Sequence, residues 1–207
     1  MKGVSPEFKE RIESPRSKRE DNGIIQEKET QEEKLNPEER LYEAERLIRE
    51  TVKNEMLENL KRISPKAFEE VCRRFMLALG YGYDENSGLT TQYSHDGGID
   101  GYIYGDKLGL EKIAFQSKRF DGGTVGIKEV SSFYGVIDKE YSKGVFITTS
   151  KFSKDAIEFA HKHSNLKLID GDTLCDLMYE YGVGVSTKTR VEIKFIDNDF
   201  FEDIDKE

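Results

Sequence analysis

A carboxylate, an amide and an amine lie along one stretch of this chain at a spacing that could bring them together. The stretch, 94–120, reads SHDGGIDGYIYGDKLGLEKIAFQSKRF and contains two strand-like runs separated by a glycine-containing turn. A hairpin centred on Leu108 places Asp100 opposite Gln116. Lys118 shares the face of Gln116, because side chains two residues apart on a strand point to the same side. The sequence therefore predicts that the three groups gather at one end of a β-hairpin.

Oxygen ligands beside an amine suit a divalent cation that assists phosphodiester hydrolysis. Mg²⁺ is commonly held by one or two carboxylates together with waters and substrate phosphates. Asp100 offers a carboxylate, Gln116 a side-chain carbonyl and Ser117 a main-chain carbonyl. Glu69 and Asp96 are the candidates for a second carboxylate. A surface hairpin with incidental charges explains the same spacing, and an ordinary solvated helix acid explains Glu69.

Other polar residues are candidates for binding metal or phosphate. Lys118 could orient an attacking water or stabilise charge in the transition state. His95, beside Asp96, could bind metal or contact phosphate, although a loop histidine without such a role is the alternative. Ser150 and Ser153 precede a helix N-terminus, where phosphate can bind, and helix capping alone is their alternative reading.

Composition and charge restrict the class of protein. The chain has 207 residues, 36% of them hydrophobic and 35% charged, with a net charge of −9. It lacks the apolar run of roughly 20 residues that a membrane span needs, and its N-terminus lacks a signal-peptide core, which predicts a cytoplasmic protein. Acidic and basic residues balance within 61–195. A local basic face is therefore compatible with DNA as a partner.

The chain divides by composition into four parts. Residues 1–35 are charged and poor in large apolar groups, which predicts disorder. An Asn-Pro-Glu-Glu sequence then begins a helical arm or linker, 36–62, which could also mediate oligomerisation. The folded domain is expected over 63–195, and 196–207 forms an acidic tail.

Alternating helix and strand patterns predict the fold class of the central part. A helix with Phe68 and Phe75 on its apolar face precedes the hairpin, and a continuous apolar run at 144–150 suits a strand buried on both faces. Further helix and strand patterns follow, with a late edge strand expected at 191–196. Cys72 and Cys175 lie in apolar, helix-like segments, which favours buried reduced thiols. The order predicts a mixed α/β layer sandwich.

Several linked motifs across 64–186 resemble the catalytic domain of the Mrr-type restriction endonucleases, a branch of the PD-(D/E)XK nuclease superfamily. The matching segments are Phe68-Glu69, Leu79-Gly80-Tyr81, DGGIDG at 96–101, FQSKRF at 115–120, GVFITTSKFSKDAIEFA at 144–160, LIDGDTL at 168–174 and LMYEYGVGV at 177–185.

This resemblance implies a restriction-endonuclease-like mixed sheet flanked by helices. It implies that Asp100 is the catalytic aspartate and that Gln116 and Lys118 form the Q-x-K variant of the usual (D/E)-x-K motif. Glu69 matches the acidic residue that the first core helix offers to the metal. The implied activity is that of a Mg²⁺-dependent DNA endonuclease, with Mn²⁺ as a substitute, that restricts foreign or methylated DNA.

The chain departs from the pattern at its N-terminus. Mrr-like proteins typically carry a winged-helix domain that reads DNA, and residues 1–60 are too short and too polar for one. The catalytic domain could be a stand-alone nuclease, or one that a specificity partner recruits through the helical arm. Double-strand cutting usually takes two active sites, which makes a homodimer plausible. Two other functions stay open. One is a DNA-binding or assembly module with an idle nuclease fold, and the other is a junction- or RNA-directed nuclease that uses the same site.

Overall fold

In a computed structural model the chain divides into two units after Thr51, and the second unit begins at Val52. The structure describes residues 36–82, 88–90, 99–120 and 122–204. The segment predicted to be disordered, 1–35, lies outside the described residues, as do His95 and Asp96. None of the described helices has the length and apolarity needed to cross a membrane.

The first helix, α1, spans Pro37–Arg62. The predicted helix start is confirmed, because Asn36 Oδ1 accepts a hydrogen bond from the Glu39 amide at 2.9 Å while Glu39 Oε2 accepts one from the Asn36 amide at 2.8 Å. Towards the end of α1, Met56 and Leu60 are buried in the core of the second unit. The last part of the predicted arm therefore belongs to the folded domain.

The second helix, α2, spans Pro65–Ala78 and covers one face of the sheet. Ser64 caps it, with Oγ accepting a hydrogen bond from the Ala67 amide at 3.2 Å. The predicted apolar face is confirmed, because Phe68 and Phe75 are buried and Cys72 lies between them. This face packs against the sheet next to the predicted site.

A five-stranded mixed sheet forms the centre of the second unit. The strands span Gly88–Thr90 (β1), Gly101–Tyr104 (β2), Lys112–Lys118 (β3), Lys143–Thr148 (β5) and Leu166–Ile169 (β7). Their order is β1-β2-β3-β5-β7, with β1, β2 and β3 antiparallel and β3, β5 and β7 parallel. The register of β2 and β3 pairs Tyr102 with Ala114, as the hairpin centred on Leu108 predicts.

The remaining elements complete the layers around the sheet. Two short strands, β4 (Thr124–Val125) and β6 (Lys151–Phe152), pair in parallel and form a separate two-stranded sheet. The further helices are α3 (Ile127–Glu140), α4 (Lys154–His161), α5 (Gly171–Glu180) and α6 (Asn198–Ile204).

Two apolar clusters lie on opposite faces of the sheet. One contains Ile113 and Ile147 with residues of α1, α2 and α5, and the other contains Ala114 and Phe146 with residues of α3 and α4. Helices therefore cover both faces, which confirms the predicted mixed α/β layer sandwich. β5 and α3 approach closely at Gly144, because a Cβ added there would overlap the side chain of Ile137.

The expected late edge strand at 191–196 is wrong. No strand is assigned there, and Val191 and Phe195 are 65% and 93% exposed. Alternating apolar residues produce a strand only when a neighbouring edge pairs with them, and this segment has no ladder partner among the described strands. The acidic tail instead contains the short helix α6, with no buried residue. Both cysteines are free and buried, as predicted.

The aromatic contact between α3 and β5 gives a test of the fold. Phe133 of α3 is buried edge-to-face against Phe146 of β5, with ring centroids 5.5 Å apart. We expect Phe133→Ala to lower the free energy of unfolding by about 3–5 kcal/mol, because it leaves a cavity in a close-packed core. Urea denaturation would measure this. The control, Leu110→Ala, alters a residue that is 80% exposed and should change stability little; similar losses in both variants would contradict this packing.

Candidate active site

The Asp100 carboxylate sits where the ladder between β2 and β3 ends. The Asp100 amide donates to the Phe115 carbonyl at 3.1 Å, and Oδ2 accepts hydrogen bonds from the Ser117 amide at 2.5 Å and from Ser117 Oγ at 2.7 Å. Amides two residues apart on a strand point to the same edge, so the Ser117 amide faces the side where β2 would continue. The Asp100 carboxylate accepts the hydrogen bond that a further residue of β2 would accept in a longer ladder, and its two bonds to Ser117 hold it in place.

This arrangement corrects one detail of the hairpin prediction. The ladder stops at Gly101 and Phe115, so Asp100 and Gln116 do not face each other as a ladder pair. Asp100 bends towards Ser117, one residue further along β3. The carboxylate and the Gln-Ser-Lys triplet nevertheless meet at the same end of the hairpin.

Gln116 and Lys118 lie on the sheet face covered by α3. Gln116 pairs with Phe146 of β5, which belongs to the apolar cluster on that face. Ser117 pairs with Ile147, which belongs to the cluster on the α2 face. Neighbouring residues of parallel strands share a face, so the predicted alternation of the triplet is confirmed.

The side-chain oxygen of Gln116 is the clearest candidate to bind a cation. Its Oε1 is buried and has no hydrogen-bond partner among the described residues. An unsatisfied buried acceptor costs about 1–3 kcal/mol and is rare in folded proteins. A bound cation would satisfy this oxygen.

The carboxylates of Glu69 and Asp100 lie close enough at the end of β3 for the charge of Asp100 to act on Glu69. Glu69, on α2, is half-buried. Burial first and the charge of Asp100 second raise the pKa of Glu69, and Lys66 acts in the opposite direction. Burial also raises the pKa of Asp100, against the hydrogen bonds from Ser117. A divalent cation would relieve both the desolvation and the repulsion.

The thiol of Cys72 forms the inner wall beside these acids. Burial, followed by the charge of Asp100, raises the pKa of Cys72 well above its usual value. The thiol therefore stays protonated at neutral pH and adds no negative charge next to Asp100.

The donor set fits a hard cation. Asp100 and Glu69 offer carboxylates, Gln116 an amide oxygen and Ser117 a main-chain carbonyl; oxygen sets of this kind suit Mg²⁺ or Mn²⁺. In the described part of the chain, no three His, Cys, Asp or Glu side chains form a metal-binding group. That is compatible with a set in which an amide and the main chain supply part of the oxygens.

Lys118 is held by a residue that the sequence analysis missed. Its ammonium forms an ion pair with Glu129 in the first turn of α3 and lies 4.9 Å from the ring centroid of Phe120. Glu129 is one of many acids in this chain, and nothing in its spacing from Lys118 singles it out. The one signal in the sequence is that Glu129 is the third residue of the helix that follows the Q-x-K strand.

Two buried threonines, also missed, fix the main chain after the triplet. Thr148 Oγ1 donates to the Lys118 carbonyl at 2.8 Å. Thr149 Oγ1 accepts from the Phe120 amide at 2.8 Å and donates to the Phe120 carbonyl at 2.9 Å. β3 and β5 are thereby joined beyond their ladder, which leaves Lys118 on a rigid support.

The two serines suggested as phosphate contacts have structural partners. Ser153 Oγ accepts from the Ala156 amide at 3.2 Å and caps α4. Ser150 Oγ donates to the Gly123 carbonyl. Their contact with phosphate stays a prediction.

Comparison with known proteins places the chain in a family. The restriction endonuclease family Mrr_cat matches residues 60–178, more than half of the chain. The chain belongs to this family. The matched range of the Mrr_cat domain contains Glu69, Asp100, Gln116 and Lys118.

Individual relatives agree with this placement. The chain is 42% identical over 170 residues to the type IV methyl-directed restriction enzyme EcoKMrr of Escherichia coli (strain K12), covering 82% of this chain and 55% of that protein. The chain thus spans about half the length of this relative. The Mrr_cat domain is also similar to AspBHI, a DNA modification-dependent restriction endonuclease, with a TM-score of 0.51, 22% identity and coverage of 63% and 36% of the two chains.

A second solved structure is similar to a smaller extent. MspJI restriction endonuclease in complex with a 27-mer oligonucleotide matches with a TM-score of 0.47, 25% identity and coverage of 61% of this chain and 31% of that one. The restriction-endonuclease-like fold predicted from the sequence is confirmed by the likeness to AspBHI.

The buried charge of Asp100 gives a test in the absence of metal. An acid whose pKa is raised by folding destabilises the fold when ionised, so this penalty is present above the raised pKa and disappears as the pH falls through it. We expect Asp100→Asn to raise the melting temperature in EDTA at pH 7.5, because Asn can still accept from Ser117. The difference from the unmodified protein should shrink on acidification. Differential scanning fluorimetry would measure both.

Glu55→Gln is the matched control for this test, because Glu55 is an exposed acid of α1. It should leave the melting temperature nearly unchanged across the same pH range. A melting temperature lowered by Asp100→Asn would contradict the reading of Asp100 as a desolvated charge.

Proposed function

We propose that the chain is a Mg²⁺-dependent DNA endonuclease of the restriction or defence type. The observation that carries the proposal is the buried amide oxygen of Gln116, which has no hydrogen-bond partner among the described residues. Gln116 precedes Ser117, whose amide holds the carboxylate of Asp100. Membership of the Mrr_cat family, whose description is restriction endonuclease, supports the same activity. Mn²⁺ would substitute for Mg²⁺ at an all-oxygen site.

Each residue of the site has a defined part in this proposal. Asp100, Gln116, Glu69 and the Ser117 carbonyl would hold the ion. When bound, the ion lowers the pKa of a water and neutralises charge on the scissile phosphate. Lys118 would place its ammonium near that phosphate, where a fixed positive charge stabilises the transition state. The buried walls of the site limit competition from bulk water for these charges.

Modified DNA is the substrate class that we favour. EcoKMrr is described as methyl-directed, and this chain is 42% identical to it over most of its own length. The aligned 170 residues cover about half of that relative, so we propose methylation preference as a property to be tested. A role in restriction would place the protein in the cytoplasm.

The division of labour along the chain is also proposed. We assign hydrolysis to 63–195, and we assign contact with a second copy or a specificity partner to the arm 36–62. The first part of α1 supports this, because its apolar residues Tyr42, Leu47 and Ile48 are each more than half exposed. The tail from residue 196 would remain a solvated terminus.

A cleavage assay tests the proposed activity. Supercoiled plasmid incubated with the protein and Mg²⁺ or Mn²⁺ should be nicked or linearised, and EDTA should abolish the cutting. Asp100→Asn and Lys118→Ala should each lower the rate by about 100-fold or more, because each removes a group that acts on transition-state charge. Glu55→Gln should cut as fast as the unmodified protein. Unchanged cutting by Lys118→Ala would contradict its role.

The same assay separates the alternatives when methylated plasmid, unmethylated plasmid, four-way junction and RNA are compared in parallel. Faster cutting of methylated plasmid is the expected result. Binding without cutting of every substrate would indicate an idle nuclease fold. Cutting confined to junction or RNA would indicate a different substrate class at the same site.

A further inference from the structure

A lysine that acts on a phosphate must be restrained, because its side chain has several rotatable bonds and its ammonium is a compact point charge. The main chain of Lys118 is fixed by Thr148 Oγ1 at the end of β3. The side chain extends beyond this support and is about one-third exposed, at 37%. Additional contacts are therefore needed to hold the ammonium in one place.

Glu129 supplies such a contact from α3. Its Oε1 is the ion-pair partner of the Lys118 ammonium. Its Oε2 accepts a hydrogen bond from the Gly126 amide at 2.9 Å, at the start of the same helix. One carboxylate thus connects the ammonium of the strand to the N-terminus of the helix, and both of its oxygens have defined partners.

The environment keeps this carboxylate ionised. The hydrogen bond from Lys118 is the largest influence that lowers the pKa of Glu129, and the Gly126 amide adds to it. The positive end of the α3 dipole favours an anion at this position as well. Phe120 contributes a second restraint, with its ring centroid 4.9 Å from the ammonium.

Helix capping explains only half of this geometry. A glutamate three residues into a helix needs one oxygen to accept from the amide of the capping residue, as Oε2 does here. The second oxygen of Glu129 is then available for solvent, yet it contacts Lys118. The ion pair also connects two elements, because Lys118 lies on β3 and Glu129 on α3.

We infer that Glu129 is a positioning residue that orients the ammonium of Lys118 for phosphodiester cleavage. The inference rests on the proposed nuclease function and adds to it an acid that belongs to none of the motifs matched in the sequence. Glu129 acts through Lys118 and has no part in holding the metal. Its removal therefore affects the rate of the chemical step and leaves metal affinity unchanged.

Glu129→Gln tests this role, because the amide oxygen of Gln can still accept from Gly126 while the charge that holds Lys118 is lost. We expect kcat for plasmid cleavage to fall by about ten- to a hundredfold, the scale on which misplacement of a catalytic group acts. KM for DNA and the Mg²⁺ concentration at half-maximal rate should stay unchanged, and the melting temperature should fall only slightly, because one partly exposed ion pair is lost. Glu140→Gln, at an exposed position at the other end of α3, is the matched control and should cut normally.

A double variant separates positioning from a general effect on the fold. Lys118→Ala with Glu129→Gln should cut no more slowly than Lys118→Ala alone in long single-turnover incubations with Mn²⁺, because the carboxylate acts only through the ammonium. Equal losses from Glu129→Gln in both backgrounds would overturn the inference. So would an unchanged kcat accompanied by a lower melting temperature, which would mark Glu129 as a helix cap alone. A failure of the unmodified protein to cut any DNA would instead count against the proposed function.

Discussion

The hydrogen bonds between Asp100 and Ser117 are the constraint on which the rest of the site depends. A carboxylate that replaces the next residue of β2 is fixed by the main chain of β3, so its position follows from the strand register and not from a flexible side chain. The same contact orients the Ser117 main chain. Gln116 and Lys118 flank that residue, and their directions are then set by the alternation of the strand.

Two faces of one sheet contribute to this site. Glu69 approaches from α2 on one face, while Gln116 and Lys118 lie on the face of α3. The strand end between them is reinforced by the buried hydroxyls of Thr148, at the end of β5, and of Thr149, which follows it; they bind the main chain at Lys118 and Phe120. A mixed sheet with helices on both sides allows this, because its strand ends are reachable from each layer. Acid repulsion and an amide oxygen without a hydrogen-bond partner in the described part of the chain occur there at the expense of stability, as is common at functional sites.

Much of the local structure could be predicted from the sequence because its causes are local. The Asn-Pro-Glu-Glu start of α1 and the apolar face of α2 follow from capping and helical spacing. The register of β2 against β3 follows from the turn between them. The alternation at 191–196 led to the wrong prediction of a strand. A strand forms only beside the edge of a neighbouring strand, and the local sequence does not show whether such an edge is present.

What the sequence by itself determined is the identity and order of the chemical groups: Asp100, the Gln-Ser-Lys triplet, and the helix and strand periods that set their faces. Only the tertiary structure decided that Asp100 bends to Ser117, that the Gln116 oxygen is buried with no partner among the residues described, and that Glu129 contacts Lys118. The spacing of residues along the chain determines which face of a helix or strand each side chain occupies. Burial, charge repulsion and ion pairing depend on distances between elements, which packing of the two apolar clusters sets.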